Sequence, residues 1–388
     1  MYTQIEVVEH VLRILQESNR VSTYKPAVLL ALIDLALDQN IADGTARVQI
    51  LTRDVAEKVI SYYWDQTSPF HDAVKKSSRV LLQCTAHKND SSQAAIVSDI
   101  KKFRDSFAIA DMPRRAASAA DPEGYRKLCD RVEWTLIEMP LPKLQRIGKE
   151  SKDIIYSIKW RDDHSNQDTS KFLLQKMDVK RYQLDPKKNV ESVYATIDLL
   201  PGVASAFANL HSLLRPHVIQ HWVNDVVRWN NLKHSDVSSD VSGFLFSDFR
   251  RVNLAPVRDK IVEFDSGRCF YCDRSVSAGA EIDHFIPWTR THDDGLHNLV
   301  AACPACNNSK SDYLGSHKQL GKWLSRIRSR SDGLKDIAEK AHWEFRPTQA
   351  LARAKNIYSK LPDQIVVWDS QKKFVPLNLA DVQRLLIA

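Results

Sequence analysis

The sequence predicts an α+β protein with a helical N-terminal region, a β-rich middle, and a small metal-stabilised segment followed by C-terminal helices. Three observations predict this class. Apolar residues recur at helical spacing in the first part of the chain, and short β-branched or aromatic runs follow them. Two Cys-x-x-Cys pairs then enclose a short segment in the last third. The chain of 388 residues has room for two or three domains.

We divide the chain into five parts on composition and pattern. They are a helical N-terminal domain, a β-rich unit, a helical connector, a domain that contains both Cys-x-x-Cys pairs and a basic helix, and a C-terminal extension. The predicted ranges are 1–115, 125–185, 190–245, 246–332 and 333–388.

The first part is expected to be helical because its apolar residues follow a helical period. Ile5, Val8, Leu12 and Leu15 lie on one predicted helix face. Residues 27–37 are apolar nearly all round apart from Asp34, which indicates a buried helix. Further helices are predicted over residues 53–64 and 94–107.

The composition and the hydrophobic pattern of the sequence change after the first part. Residues 112–124 are small and polar and contain two prolines, which predicts a linker or an exposed loop. Short strands of an antiparallel unit are then predicted at 134–138, 154–160 and 172–175. From residue 190 to residue 230 the pattern returns to helix, with an interruption at Pro216.

Composition excludes several classes of protein. With 43% hydrophobic and 27% charged residues, the chain resembles an ordinary globular protein, and it has no apolar run long enough for a membrane helix. Glu6 and Glu9 interrupt the stretch where a signal peptide needs apolar residues. Cys84 and Cys129 lie outside the Cys-x-x-Cys pairs and are expected to be free thiols, which favours a reducing cytoplasm.

The net charge of +7 gives weak support for a nucleic-acid partner. Its placement is more informative, because the chain from Arg251 onward holds 21 Lys and Arg residues against 16 Asp and Glu residues. This part of the chain therefore contributes +5 of the net charge of +7.

The cysteine pairs predict a structural zinc site. Four thiolates in two Cys-x-x-Cys pairs supply the tetrahedral coordination that closed zinc sites use. The four ligands are Cys269, Cys272, Cys303 and Cys306. The segment between the pairs is thereby pinned at both ends, and it carries an Asp-His dipeptide, Asp283-His284.

The residues around this dipeptide closely resemble the HNH endonuclease family, whose active site is a ββα-metal fold. The matching pattern is Cys-x-x-Cys, then Asp-His with Ile-Pro nearby, then Asn-Leu, then Cys-x-x-Cys-Asn-x-x-Lys. Here these positions are Cys269, Cys272, Asp283, His284, Ile286, Pro287, Asn298, Leu299, Cys303, Cys306, Asn307 and Lys310.

The resemblance implies a role for each catalytic position. His284 is expected to be the general base, and Asp283 and Asn307 are expected to hold a catalytic Mg²⁺ or Mn²⁺ ion. Asn298 is expected to tie the loop across the two strands and to orient the base. Many relatives carry His at the position of Asn307, so this departure leaves the metal preference open.

Several basic residues are candidate nucleic-acid contacts. Lys310 follows the last zinc ligand by one helical turn, and Arg290 lies in the segment between the pairs. Residues 314–330 predict a two-faced helix with Lys318, Lys322 and Arg326 on one side. Such spacing can follow a phosphate backbone, while the alternative is an ordinary solvated helix face.

The functional prediction is a metal-dependent endonuclease that hydrolyses DNA in restriction or anti-phage defence, acting in the cytoplasm, with no membrane association. A homodimer or a partner defence protein is the assembly considered. The Tyr24-Lys25-Pro26 and Tyr62-Tyr63-Trp64 stretches distantly resemble the DNA-reading part of phosphorothioate- and modification-dependent HNH restriction proteins. The alternatives are a non-catalytic zinc-stabilised DNA-binding subunit of a larger complex and an HNH nuclease that acts on RNA.

Overall fold

The computed structural model describes residues 1–17, 21–39, 48–72, 76–85, 93–109, 112–147, 150–151, 153–159, 196–232, 237–246, 253–276 and 279–387. The chain falls into two compact units. The N-terminal unit comprises Met1–Leu37 and Ile41–Ser247, and the C-terminal unit comprises Asp38–Asn40 and Asp248–Ala388.

The N-terminal unit is mainly helical. Its described elements are, in chain order, α1 (Gln4–Glu17), α2 (Tyr24–Leu37), β1 (Val48–Leu51), α3 (Thr52–Tyr63), β2 (Phe70–Asp72), β3 (Ser77–Arg79), α4 (Ala95–Arg104), α5 (Arg114–Ala120), α6 (Pro122–Glu138), β4 (Arg146–Ile147), β5 (Glu150–Ser151), β6 (Tyr156–Lys159), β7 (Thr196–Leu199), α7 (Val203–Asn209), α8 (His211–Trp229) and α9 (Val237–Leu245).

Helix α2 lies at the centre of the N-terminal unit and is buried on nearly all sides, as its continuous apolar sequence predicts. It packs against α3, α7 and α8. The polar exception is Asp34, whose Oδ1 accepts hydrogen bonds from His211 Nε2 at 2.9 Å and Arg215 Nε at 3.0 Å. Its Oδ2 accepts a hydrogen bond from the Tyr62 hydroxyl at 2.8 Å. These contacts join three of the helices through one carboxylate.

A three-stranded antiparallel sheet accompanies these helices, in the order β1-β7-β6. The central strand β7 pairs with both neighbours, so that Leu199 lies opposite Val48 on one side and Tyr156 on the other. Residues 196–199 were predicted to belong to a helical stretch, and that prediction is wrong. A strand with a neighbour on each side draws its hydrogen bonds from distant segments, which local periodicity does not reveal.

Three local predictions about the middle of the chain need correction. Residues 134–138 form the last turn of α6 rather than a strand. The same helix begins where a linker was predicted, because Asp121 caps it by accepting a hydrogen bond from Gly124 N and Pro122 occupies the first turn. Helix α5 fills most of the remaining linker, and α8 continues through Pro216 without the predicted interruption.

The predicted strand at 154–160 is confirmed in part, because β6 covers Tyr156–Lys159. The strand predicted at 172–175 lies outside the described residues. The helices predicted over residues 53–64 and 94–107 are confirmed by α3 and α4.

The C-terminal unit contains the segment with the cysteine pairs. Its described elements are α10 (Ala255–Phe264), β8 (Glu281–His284), α11 (Trp288–Thr291), β9 (Leu299–Ala302), α12 (Pro304–Lys310), α13 (His317–Ser329), α14 (Ser331–Ala341), α15 (Pro347–Tyr358), β10 (Val366–Ser370), β11 (Lys373–Pro376) and α16 (Leu379–Ile387). The mixed helix and strand content confirms the predicted α+β class.

The core of the C-terminal unit is built around aromatic residues. Phe285 stacks on Trp323 of α13 with ring centroids 4.9 Å apart, and both side chains are buried. Trp368 of β10 is also buried, and its indole N–H donates a hydrogen bond to Ser309 Oγ on α12. The hairpin of β10 and β11 and the final helix α16 are thus part of the scaffold of the cysteine-bearing segment.

None of the helices in the described part of the chain combines the length and apolar character that crossing a bilayer requires.

We expect Asp34→Asn to destabilise the N-terminal unit by about 3–5 kcal/mol, because it removes the negative charge that pairs with the buried guanidinium of Arg215. Burial favours the neutral acid, but Arg215 and His211 outweigh it and hold the pKa of Asp34 well below its ordinary value of 3.8. The contribution is therefore complete above pH 3.8 and declines as the pH falls towards the folded-state pKa.

The free energy of unfolding in urea, measured at pH values above and below 3.8, checks this expectation. Hydrogen exchange of α2 serves as the local readout. The matched control is Asp105→Asn, since Asp105 is exposed and pairs with the exposed Lys101 on the preceding turn of α4. Equal free energies of unfolding for Asp34→Asn and Asp105→Asn would contradict the proposed contribution of the buried contacts of Asp34.

Candidate functional site

The four predicted zinc ligands lie together. Cys269 and Cys272 occupy the turn that follows α10, Cys303 immediately precedes α12, and Cys306 lies within its first turn. Their sulfur atoms all lie within 4.8 Å of one another, and Cys272 Sγ is 3.8 Å from Cys303 Sγ. Zinc–sulfur bonds of about 2.3 Å in a tetrahedron put sulfur atoms about 3.8 Å apart. The arrangement therefore fits a closed structural zinc site.

Between the two cysteine pairs, β8 and β9 form an antiparallel ribbon. Asp283 lies opposite Val300 and His284 lies opposite Leu299. A backbone hydrogen bond from Phe270 N to Ala301 O, 2.7 Å long, connects the first cysteine turn to β9. Helix α12 follows β9 directly, so the segment has the ββα order that the resemblance implies.

The candidate base, His284, is buried and has a carboxylate partner. Its Nε2 lies 2.8 Å from Asp294 Oδ1. A carboxylate only accepts hydrogen bonds, so Nε2 carries the proton and Nδ1 is the basic nitrogen of the neutral ring. Asp294 is itself held in place, because Trp288 donates to its Oδ2 at 3.3 Å and Trp343 donates to its backbone oxygen at 2.6 Å.

Asn298 closes the loop that follows the base. Its Oδ1 accepts a hydrogen bond from Ile286 N at 2.8 Å, and its Nδ2 donates to the backbone oxygens of Ile286 and Asp293, each at 3.0 Å. The side chain thereby joins the two ends of the excursion between β8 and β9. This geometry agrees with the positioning role that the resemblance implies.

A second buried pair supports the same loop. His297 Nε2 lies 2.9 Å from Asp293 Oδ2, and Arg353 Nη1 approaches that oxygen to 2.6 Å. Burial alone would raise the pKa of Asp293, but His297 and Arg353 outweigh it and lower the pKa. Because Asp293 directly precedes Asp294, these contacts also fix the backbone that positions the Asp294 carboxylate.

Asp283 has two buried partners. Tyr271 donates its hydroxyl to Asp283 Oδ2 at 2.5 Å, and Lys310 Nζ lies 3.0 Å from the same oxygen. Burial and the adjacent carboxylate raise the pKa of Tyr271 well above its ordinary value, so the hydroxyl stays protonated and donates. Lys310 also donates to the backbone oxygen of His284 at 2.8 Å, so one ammonium group connects the Asp283 side chain to the backbone of the candidate base.

Asn307, the second residue expected to hold the catalytic cation, lies on α12 one residue after Cys306. Its Nδ2 donates a hydrogen bond of 2.7 Å to Glu281 Oε2 on β8. Asp283 and Asn307 present a carboxylate and an amide oxygen, the hard donors that Mg²⁺ and Mn²⁺ prefer. The residues present therefore fit the divalent cation that the resemblance implies.

Comparisons with known proteins agree with this division of the chain. Residues 4–243, more than half of the sequence, match the family model described as Domain of unknown function (DUF8808). The chain belongs to the DUF8808 family. Residues 269–313 match the model of the HNH endonuclease domain and contain the four-cysteine cluster. No curated protein and no solved structure matches the chain.

The HNH domain of this DUF8808 protein is thus the segment that carries the site. It spans both cysteine pairs, the β8–β9 ribbon and α12, and all the catalytic and zinc positions derived from the sequence fall within it. The hydrophobic residues of α13 and the C-terminal hairpin, which pack on it, lie beyond the matched residues.

The candidate DNA contacts of this DUF8808 protein separate into two groups. Arg290 and Lys318 are exposed, and their role as DNA contacts remains a prediction. Lys322 is exposed too, although its ammonium donates to Phe270 O and lies 5.0 Å from the centre of the Phe270 ring.

The other two basic residues are buried, and the prediction of a phosphate contact needs correction for both. Lys310 is fully buried between Asp283 and His284 O, as described above. Arg326 is also buried, where its Nε donates to Asp265 Oδ1 at 3.0 Å. Helical spacing predicts which residues share a face. It does not predict that Asp265, directly after α10, forms a buried ion pair with Arg326.

The sequence did not indicate three side chains that pair with the expected catalytic residues His284, Asp283 and Asn307. Asp294 pairs with His284, Tyr271 pairs with Asp283, and Glu281 pairs with Asn307. Glu281 could have been predicted from the sequence, because it lies two residues before Asp283 and residues two apart on a strand share a face. Asp294 and Tyr271 reach the site through loops, so spacing alone did not indicate them.

We expect the purified protein to contain one zinc ion per chain and Cys306→Ala to lose it. Zinc binding at such sites is worth about 10–16 kcal/mol and is coupled to folding, so the C-terminal unit should lose hydrogen-exchange protection with the metal. Metal analysis by mass spectrometry and hydrogen exchange measure both effects. Cys129→Ala is the matched control, because Cys129 is a buried thiol of the N-terminal unit. Retention of zinc by Cys306→Ala would contradict the assigned site.

Proposed function

We propose that this protein is a metal-dependent HNH endonuclease that hydrolyses phosphodiester bonds in DNA. The observation that carries the proposal is the buried hydrogen bond between His284 Nε2 and Asp294, at the end of a strand whose ribbon is tied to the four-cysteine cluster. A buried imidazole with a carboxylate partner can be structural, as His297 with Asp293 is. His284 differs because it directly follows Asp283, the residue expected to hold the cation, and a general base at that position needs an oriented partner.

His284 is the base in this proposal. Hydrolysis requires that an attacking water lose its proton near neutral pH, and an imidazole titrates in that range. With Nε2 hydrogen-bonded to Asp294, His284 presents Nδ1 as the acceptor for that proton. Asp294 also stabilises the imidazolium that forms when the proton is taken up.

Asp283 and Asn307 would hold the catalytic cation. Of the two Asp283 oxygens, Oδ2 is engaged by Tyr271 and Lys310, so among the described contacts Oδ1 is the oxygen that would bind the cation. When bound, Mg²⁺ or Mn²⁺ would stabilise negative charge on the scissile phosphate and on the leaving 3′ oxygen. Lys310 offsets the charge of Asp283 in the buried site.

The setting we propose is restriction or anti-phage defence in the cytoplasm, with DNA as the partner. One HNH site cuts one strand, so a double-strand break needs two copies of the chain or two successive nicks. The DUF8808 region precedes the HNH domain and accounts for most of the chain, which supports a role for it in selecting the target or restraining the nuclease. A homodimer or a partner defence protein would then bring two sites to one target.

We expect His284→Ala to abolish nicking of supercoiled plasmid in Mg²⁺ or Mn²⁺, because it removes the base while Asn298 and the zinc cluster still hold the loop. General-base catalysis contributes about 10²- to 10⁴-fold, so a loss of this size is measurable in a gel assay. EDTA should abolish the wild-type reaction. His317→Ala, outside the HNH match in the same unit, is the control and should cut normally.

The substrates in that assay should include unmodified DNA, phage-derived modified DNA and RNA. Cleavage of DNA that is retained by His284→Ala would overturn the assignment of the base. Metal-independent DNA binding without cleavage of any substrate would favour a non-catalytic DNA-binding subunit, and exclusive cleavage of RNA would favour an RNase.

We expect Asp294→Asn to lower the cleavage rate by about 10²-fold or more, while zinc content and DNA affinity stay at the wild-type level. An asparagine can donate to Nε2, and it then stabilises the tautomer in which Nδ1 carries the proton. Asp259→Asn is the matched control, because Asp259 is 92% exposed on α10. A normal rate in Asp294→Asn would show that the pair has no part in orienting the base.

A further inference from the structure

The hydrogen bond between Glu281 and Asn307 connects β8 to α12. Glu281 and Asp283 lie two residues apart on β8, so both side chains leave the strand on the same face. Asn307 reaches this face from α12, and its Nδ2 lies 2.7 Å from Glu281 Oε2. Glu281 is half-buried and has no role in the residue pattern of the HNH resemblance.

The hydrogen bond determines which end of the Asn307 amide faces which way. An ionised carboxylate accepts hydrogen bonds and cannot donate, so only the NH₂ group of Asn307 can face Glu281. The amide is planar, and its oxygen therefore points away from Glu281. Within the described residues, Oδ1 of Asn307 has no hydrogen-bond donor. The oxygen is free to act as a ligand.

Orientation matters more for asparagine than for an anionic ligand. A carboxylate presents an oxygen to a cation in either flip state, whereas an amide rotated by 180° presents an NH₂ group, which repels the cation. A neutral amide is also a weaker ligand, so it gains more from being fixed in advance. The position of Asn307 is therefore one where a neighbouring acceptor has a direct effect on metal affinity.

We propose that Glu281 is a positioning residue that holds the Asn307 amide with its oxygen towards the catalytic cation. The inference rests on the proposed function, because it assumes a divalent cation at Asp283 and Asn307. Glu281 acts through Asn307 and needs no bond of its own to the ion. It also adds negative charge beside the site, where Lys310 neutralises Asp283.

The first test is a Mn²⁺ titration of the full-length, zinc-loaded protein, followed by electron paramagnetic resonance of the free ion. Glu281→Gln should bind Mn²⁺ about 10- to 100-fold more weakly than wild type, because a glutamine can donate as well as accept and no longer fixes the amide. Glu263→Gln is the matched control, since Glu263 is an exposed residue of the same unit and loses the same charge.

The second test separates positioning from direct ligation or general charge. In the Asn307→Asp background the ligand is a carboxylate that needs no orientation. That carboxylate would repel Glu281, so Glu281→Gln should cost no Mn²⁺ affinity there, although it costs at least about tenfold in the Asn307 background. Zinc content and circular dichroism of every variant show that the fold is intact.

Each outcome bears on the inference in a defined way. An equal loss of Mn²⁺ affinity in both backgrounds would identify Glu281 as a ligand or a charge effect and overturn the positioning role. Wild-type affinity in Glu281→Gln, or no Mn²⁺ site in wild type, would overturn it too. A wild-type protein that binds Mn²⁺ but cuts no nucleic acid would instead contradict the proposed function and leave the positioning role standing.

Discussion

The four-cysteine cluster is the constraint on which the site depends. A two-stranded ribbon is marginal by itself in water, and β8 and β9 are each only four residues long. The cysteines join the turn after α10 to the first turn of α12, so both ends of the ribbon are fixed to the same point. Asn307 and Lys310 then follow Cys306 along α12, and the helical rise sets their distance from the cluster. A metal ion held by this cluster would thereby also place the groups that contact Asp283 and Glu281.

The loop between the strands is held by polar contacts rather than by apolar packing alone. Asn298 closes it at its ends, and the pair of His297 with Asp293 anchors its middle. Burying these groups costs free energy unless each finds a partner, and a partly satisfied network would be worse than an apolar one. The benefit is a single arrangement of the backbone around Asp294. The imidazole of His284 consequently meets its carboxylate in one geometry, which is what proton transfer requires.

The sequence was most informative where spacing along the chain determines position. The four-cysteine cluster follows from the spacing of the two Cys-x-x-Cys pairs, whereas the ββα order and the loop-closing position of Asn298 follow from the resemblance to the HNH family. It was least informative where contacts connect distant segments. The strand at Thr196–Leu199 pairs with residues near positions 50 and 157, and Arg326 is covered by Asp265. The wrong strand prediction at the end of α6 has a different cause. The buried residues of α6 keep a helical period, but the β-branched and aromatic side chains near Trp134 favoured a strand.

The burial of two candidate phosphate contacts changes which residues of the C-terminal unit could contact DNA. Each phosphate neutralised by a lysine or arginine adds a salt-dependent increment of affinity. Lys310 and Arg326 direct their charges to Asp283 and Asp265, so they strengthen the scaffold instead. The exposed residues Arg290, Lys318 and Lys322 remain from the predicted set. Three contacts alone would give weak binding at physiological salt. Exposed cations outside the predicted set, such as Arg274 and Lys335, are therefore the next candidates for phosphate contacts in the C-terminal unit.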